Sequence, residues 1–135
     1  MAEEDPHDFD VFAAPQEQGY RLIHFDTVSG VSRITLNRPP ANVLSVEMME
    51  DVNRALEALE YQRDVKLLVV MGSGKYFSAG FELADHLGDR AYLMLESFQR
   101  IVDNLAKIDK PSLAVVAGPA LGAGSMLAAA FESME

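Results

Sequence analysis

The sequence predicts an α/β fold with right-handed crossovers, and three observations carry that prediction. Two short, continuous apolar runs, 66–71 and 112–117, have the character of strands covered on both faces. Each follows a segment whose apolar residues recur at three- and four-residue spacing, the mark of an amphipathic helix. Near the start, 20–26 and 31–36 alternate as the two arms of a β-hairpin would.

Residues 1–18 mix Glu, Asp, Pro and Gln with Phe9, Val11 and Phe12, and read as a flexible acidic arm that its aromatics could dock. The hairpin follows, with Val28-Ser29-Gly30 as its turn. Asn37-Arg38-Pro39-Pro40-Ala41-Asn42 stops the second strand, because prolines cannot donate to a ladder. Ser45 is placed to cap a helix running to about Glu60. Met48, Met49, Val52, Ala55, Leu56 and Leu59 form its inner stripe, while Glu47, Glu50, Asp51, Asn53, Arg54 and Glu57 fall mostly on the other face. At this spacing the methionines belong to the core rather than to a binding groove.

After the strand 66–71 comes a small-residue turn, and then a second helix over 89–108 with Leu95, Phe98, Ile101, Val102, Leu105 and Ile108 as its stripe. Asp109-Lys110-Pro111 ends it. The strand 112–117 and a helix of small residues from Gly122 to about Glu132 complete the chain. A helix–strand–turn unit therefore occurs twice, over 45–80 and 89–124.

At 135 residues with 49% hydrophobic and 24% charged, one globular domain is expected. The net charge of −10 argues against a nucleic-acid surface, although local donors can still hold a small anion. No apolar run reaches the length of a membrane span, and the acidic start lacks the pattern of a signal peptide. Cysteine is absent, which excludes disulfides, thiolate metal sites and a cysteine nucleophile. A cytoplasmic address is the expectation.

Both strands end in turns rich in small residues: 72–80 after the first and 118–124 after the second. Gly72-Ser73-Gly74-Lys75 fails as a phosphate loop, since Val69 and Tyr76 stand where glycine and Ser/Thr are needed. Gly122-Ala123-Gly124 fails as a dinucleotide fingerprint, because Leu127 holds the third glycine position. Ser78 has no nucleophile-elbow context. His7, His24 and His86 are too scattered for a metal site, and Glu82, Asp85 and Asp89 read as a solvated charge run. What remains is backbone chemistry: two small-residue turns that can aim N–H groups at one developing anion, with no evident acid–base pair.

These turns resemble those of the enoyl-CoA hydratase/isomerase (crotonase) family. The resemblance covers about 20–130 and rests on Leu36-Asn37-Arg38-Pro39, Ala41-Asn42-Val43-Leu44, the stretch 72–83, Lys110-Pro111 and the stretch 113–124, in family order. It implies a crotonase-like spiral of ββα units, truncated to its N-terminal half, with 19–135 as the N-terminal part of an acyl-CoA-binding domain. It implies an acyl-CoA thioester as substrate, with coenzyme A entering only as part of it and no metal. It also implies a homo-oligomer, a trimer or hexamer. By position, the backbone N–H groups of Phe81 and Ala123 would form the oxyanion hole, and a helix start at Ala123 would add to the polarisation. Arg38, Ala41, Val43, Ser78, Ala79, Gly80 and Gly122 would line the substrate.

Two departures accompany the resemblance. Family members usually have glycine where Ala123 stands, so the added methyl would crowd the acyl group. Hydratases of the family commonly carry a glutamate where this chain has Met126, which can neither accept nor deliver a proton. The second carboxylate of typical hydratases lies downstream of the segment matched. The expected reaction is hydration of an unsaturated acyl-CoA, with an alicyclic dienoyl group as one candidate and isomerisation or C–C hydrolysis behind it. The alternative is a non-catalytic truncated paralogue acting as a binding or assembly module. A missing second half would leave Leu113, Val115 and Val116, or the second helix's stripe, exposed and prone to self-association.

Overall fold

The computed structural model describes residues 19–130 and the backbone of 133–134. The expected arm, 1–18, lies outside the described residues. Strand β1 (Ile23–Val28) turns into β2 (Val31–Leu36), and helix α1 (Val46–Leu59) leads to β3 (Leu67–Gly72). A 3-10 turn (Leu83–His86) precedes helix α2 (Asp89–Lys107) and β4 (Ser112–Val115), followed by helix α3 (Ala123–Ala129) and the short β5 (Ser133–Met134). The strands form one sheet in sequence order, with β1 and β2 antiparallel and every later pairing parallel.

The hairpin closes through Ser29 and Gly30, both at positive φ (53° and 82°). That is the turn geometry whose twist matches paired strands. The β1 strand begins at Ile23 rather than Tyr20, because the N–H groups of Arg21 and Leu22 both donate to the Asp51 carboxylate at 3.0 and 2.9 Å. They are thereby unavailable to a ladder. The β4 strand stops at Val115, two residues earlier than expected, and α3 stops at Ala129 rather than near Glu132.

Register places Ile34 beside Val70 and Val70 beside Ala114, so alternate residues of four strands share one face. Ile23, Phe25, Ile34, Leu36, Leu68, Val70 and Ala114 on that face are all buried, packed in one core with α1 and α2. The opposite face carries Leu67, Met71, Leu113 and Val115, which are half-buried. Leu113, Val115 and Val116 are thus partly covered rather than laid open.

Helix α1 begins where the sequence places it, with Ser45 Oγ accepting from Met48 N at 3.1 Å. Such a cap is worth about 1 kcal/mol. Met48 and Met49 are fully buried, as their spacing requires. Two residues expected on the polar face are buried instead. Asp51 anchors the start of the hairpin, and Asn53 reaches across to α2, where its Nδ2 donates to Ser97 O at 3.1 Å. Asn104 Nδ2 donates to Asn53 Oδ1 at 2.9 Å, and Ser97 Oγ donates to Glu50 Oε2 at 2.6 Å.

This polar seam fixes the rotation of α2 against α1. Its inner face is Met94, Ser97, Ile101, Asn104 and Ile108, so the stripe expected from hydrophobicity alone is shifted. Phe98 and Leu105 pack on the core edge, whereas Leu95 (59% exposed) and Val102 (36%) face out. Leucine spacing could not reveal that two polar residues had partners waiting on α1.

Candidate active site

The two parallel strands β3 and β4 deliver their following turns to the same end of the sheet. The chain from Phe77 to Glu82 then runs between two neighbours. On one side, Phe77 N donates to Pro119 O at 2.9 Å and Leu121 N donates to Ser78 O at 2.9 Å. On the other, Ala79 N donates to Ala41 O (2.9 Å), Leu44 N to Gly80 O (2.7 Å) and Glu82 N to Leu44 O (3.0 Å). The three segments 41–44, 77–82 and 119–124 are therefore stitched together by main chain alone.

This stitching determines where individual amides point. Gly80 O faces Leu44, and in a planar trans peptide the following N–H points opposite to that carbonyl, so the Phe81 N–H faces away from Leu44, toward the side of 119–124. Among the described residues, no acceptor takes the N–H of Phe81 or that of Ala123. Gly80 sits directly against the second turn: a Cβ built on it would stand 3.2 Å from Leu121 O and 3.6 Å from Ala123 N. Gly124 presses still closer, since its Cβ would lie 2.8 Å from Ser78 C and 2.9 Å from Ser78 Cβ. Only hydrogen fits at Gly124, and the positive φ of Gly80 (108°) with its close neighbours disfavours any side chain there. The small residues are thus a packing requirement, and their effect is to bring two turns with unspent N–H groups into contact.

Side chains brace the arrangement. The Phe81 ring packs edge-on against Phe98 of α2, with centroids 5.4 Å apart, and against His86 at 6.4 Å. Ser78 is fully buried, and its Oγ accepts from Gly80 N at 3.2 Å. Ala41 and Val43 lie on the partly exposed flank of the first turn, and the Val43 carbonyl accepts from Arg38 at 3.3 Å. Gly122 is exposed at the mouth of α3. Arg38 pairs with Glu82 at 2.6 Å, and a surface hollow of about 650 Å³ opens beside that pair, walled by Arg21, Arg38, Glu47 and Glu82.

Two residues matter more than their sequence context suggested. Asn42 is buried at positive φ (53°), its Oδ1 accepting from Arg38 N at 2.8 Å and its Nδ2 donating to Ser73 O and Tyr76 O, both at 2.9 Å. It ties the Pro-Pro stop to the first small-residue turn. A short polar side chain that tolerates the left-handed region was the signal available. Asp85, expected to be solvated, is buried: it accepts from Val46 N at 2.8 Å, capping α1, and from Arg90 Nε at 2.7 Å. The charge run is thus split, with Glu82 held by Arg38, Asp85 held by Arg90, and Asp89 exposed.

The electrostatics follow. Hydrogen bonding to Arg38, helped by the Ala84 N–H, holds the Glu82 carboxyl below its ordinary pKa. Burial pushes the Asp85 carboxyl up, but hydrogen bonds from Arg90 and Val46 N outweigh it, and the net direction is down. Both carboxylates are stabilised as anions rather than poised to carry protons. His86 is exposed, with Nδ1 3.1 Å from Glu82 O. Met126 is 54% exposed on α3. The described residues contain no cluster of potential metal ligands, and no described helix is long and apolar enough to cross a membrane.

Comparison with known proteins agrees with this architecture. The sequence profile of the enoyl-CoA hydratase/isomerase family matches residues 26–132. An enoyl-CoA hydratase of Alternaria alternata is 32% identical over 115 residues, 84% of this chain and 38% of that protein. A 4-chlorobenzoyl coenzyme A dehalogenase of Arthrobacter sp is 33% identical over 110 residues, 76% of this chain and 40% of that protein. The crystal structure of an enoyl-CoA hydratase/isomerase from Xanthobacter autotrophicus Py2 superposes with a TM-score of 0.77 at 36% identity, covering 85% of this chain and 45% of that one. The chain thus spans less than half the length of these relatives. In fold, in the order of its motifs and over most of its length, this chain belongs to the enoyl-CoA hydratase/isomerase family.

Proposed function

We propose that the chain binds an acyl-CoA thioester with the carbonyl oxygen between the N–H groups of Phe81 and Ala123. The observation that carries this reading is the pair of unspent amides on two turns in main-chain contact. Amides without a protein acceptor are costly unless water or a ligand takes them. A fixed donor aimed at a developing oxyanion contributes roughly 3–4 kcal/mol to a transition state. Two donors would draw electron density from the thioester and stabilise an enolate-like state. The partly exposed flank formed by Arg38, Ala41, Val43 and Ala79, with the hollow beside Arg38, is where the coenzyme A portion would run. Ser78, Gly80 and Gly122 would shape the mouth.

The reaction we infer is hydration of an unsaturated acyl-CoA, with an alicyclic dienoyl thioester as the more specific candidate. Coenzyme A is then part of the substrate, and no resident cofactor is required. The exposed apolar residues Leu83, Leu87, Tyr92 and Leu95 support assembly into a homo-oligomer, for which we propose a trimer or a pair of trimers in the cytoplasm. A second reading is favoured by Met126 and by the commitment of Glu82 and Asp85 to arginines: a binding or assembly module that polarises a thioester without moving a proton. Incubation with crotonoyl-CoA and cyclic dienoyl-CoA esters, followed by the enoyl absorbance, separates the two. Loss of absorbance supports hydration, and saturable binding without loss supports the module. An absence of binding by either ester would overturn both.

A further inference from the structure

The opposite end of the sheet carries a second hollow of different lining. A hollow of about 470 Å³ lies where α1 and α2 end and where β3 and β4 begin. Arg63, Lys66, Lys107 and Lys110 line it, four of the 11 lysines and arginines in a chain of net charge −10. None of the four makes an ion pair with a described residue, whereas Arg33, Arg38, Arg54, Arg90 and Arg100 each do. The one hydrogen bond among them is a long one, Lys66 Nζ to Arg63 O at 3.4 Å. Val65 and Ile108 are buried there and form an apolar floor.

Cations near helix ends often do no more than answer the helix dipole. That explains Lys107, in the last turn of α2, but α1 has no basic residue in its last turn. Arg63, Lys66 and Lys110 lie beyond the caps at Glu60 and Ile108, on the two connections into the parallel strands. Glu60 and Asp109 also line the hollow and oppose any anion that enters. A singly charged anion would gain little against them. A compact, multiply charged one can engage cations from both connections together, and a guanidinium fork such as that of Arg63 matches phosphate oxygens.

We infer that this hollow binds a small diphosphate-bearing anion. The site is distinct from the thioester site, because β3, six residues at about 3.3 Å each, puts about 20 Å between them. The probe is inorganic pyrophosphate, titrated into the ¹⁵N-labelled chain at low ionic strength with amide shifts as readout. Saturable shifts confined to Arg63, Val65, Lys66, 107–110 and Ser112 are expected, with a millimolar dissociation constant that rises with salt. The Lys107→Gln/Lys110→Gln variant should weaken binding about tenfold. The charge-matched Arg54→Gln/Lys75→Gln variant, which removes two cations that line neither hollow, should leave the affinity within about twofold. Shifts scattered over the surface, no saturation, or equal weakening by both variants would each overturn the inference. Amide spectra of the variants alone report whether they remain folded, and all substituted positions except the half-buried Lys110 are exposed.

Discussion

Replacing Gly124 by alanine puts a methyl group where Ser78 already stands. The new Cβ would lie 2.8 Å from Ser78 C and 2.9 Å from Ser78 Cβ, whereas unstrained carbon pairs sit at about 3.5–4.0 Å. The two turns must therefore part by roughly 0.6–1.2 Å, and the obstacle is mainly main chain rather than the end of a flexible side chain. Overpacking of this kind costs about 3 kcal/mol at its upper end, while the better helix propensity of alanine within α3 returns about 1 kcal/mol. The net expectation is a loss of about 2 kcal/mol. With a urea slope of about 2 kcal/mol/M, the unfolding midpoint should fall by about 1 M. The same parting displaces Ala123 N relative to Phe81 N, so affinity for crotonoyl-CoA should drop at least about tenfold in conditions where the variant is folded. Ser125→Ala, at an exposed position in the same helix, is the control and should move the midpoint by no more than about 0.3 M. An unchanged or raised midpoint for Gly124→Ala would show that propensity alone operates and that the turns are not in contact.

Further outcomes follow from the braces around the turns. Asn42→Ala leaves Arg38 N, Ser73 O and Tyr76 O without their partner, so chemical unfolding should report a loss of about 3 kcal/mol. Asp85 and Glu82 titrate below their ordinary range in the folded chain, so as pH falls the unfolded chain takes up protons first. The stability they add is whole above the ordinary carboxylate range and vanishes as pH drops through their lowered values. Asp85→Asn should accordingly lower the urea midpoint at pH 7 and flatten its decline between about pH 5 and 3; a decline as steep as that of the parent chain would exclude this origin. Phe98→Ala removes the edge contact that fixes the Phe81 ring and should weaken crotonoyl-CoA binding more than it weakens CoA binding, measured by calorimetry. Equal losses for the two ligands would mean that Phe98 serves only the core.

Most of this fold is legible from periodicity because β3 and β4 are short apolar runs, β1 and β2 alternate, and α1 and α2 carry an apolar stripe. Helix α1 begins at the expected cap because a serine before an apolar run has few other roles. The rotation of α2 was not legible, since Leu95 and Val102 outrank Ser97 and Asn104 on any hydrophobicity scale. Only the partners on α1, Glu50 and Asn53, make the polar residues the inward ones. Asp51 and Asp85 were hidden for a related reason: each caps backbone amides about thirty to forty residues away in sequence, a pairing that composition does not display. The glycine positions did point to the site, but as turn residues. Their closer role, admitting one turn against another, needed coordinates.

The most direct test is a titration of the ¹⁵N-labelled chain with crotonoyl-CoA, set beside the same titration with CoA lacking an acyl group. The amide protons of Phe81 and Ala123 should both move downfield with the thioester and remain nearly still with CoA, as expected if both donate to one carbonyl oxygen. Saturation by crotonoyl-CoA with neither amide responding, or with only one of them responding, would contradict the assignment of these two N–H groups.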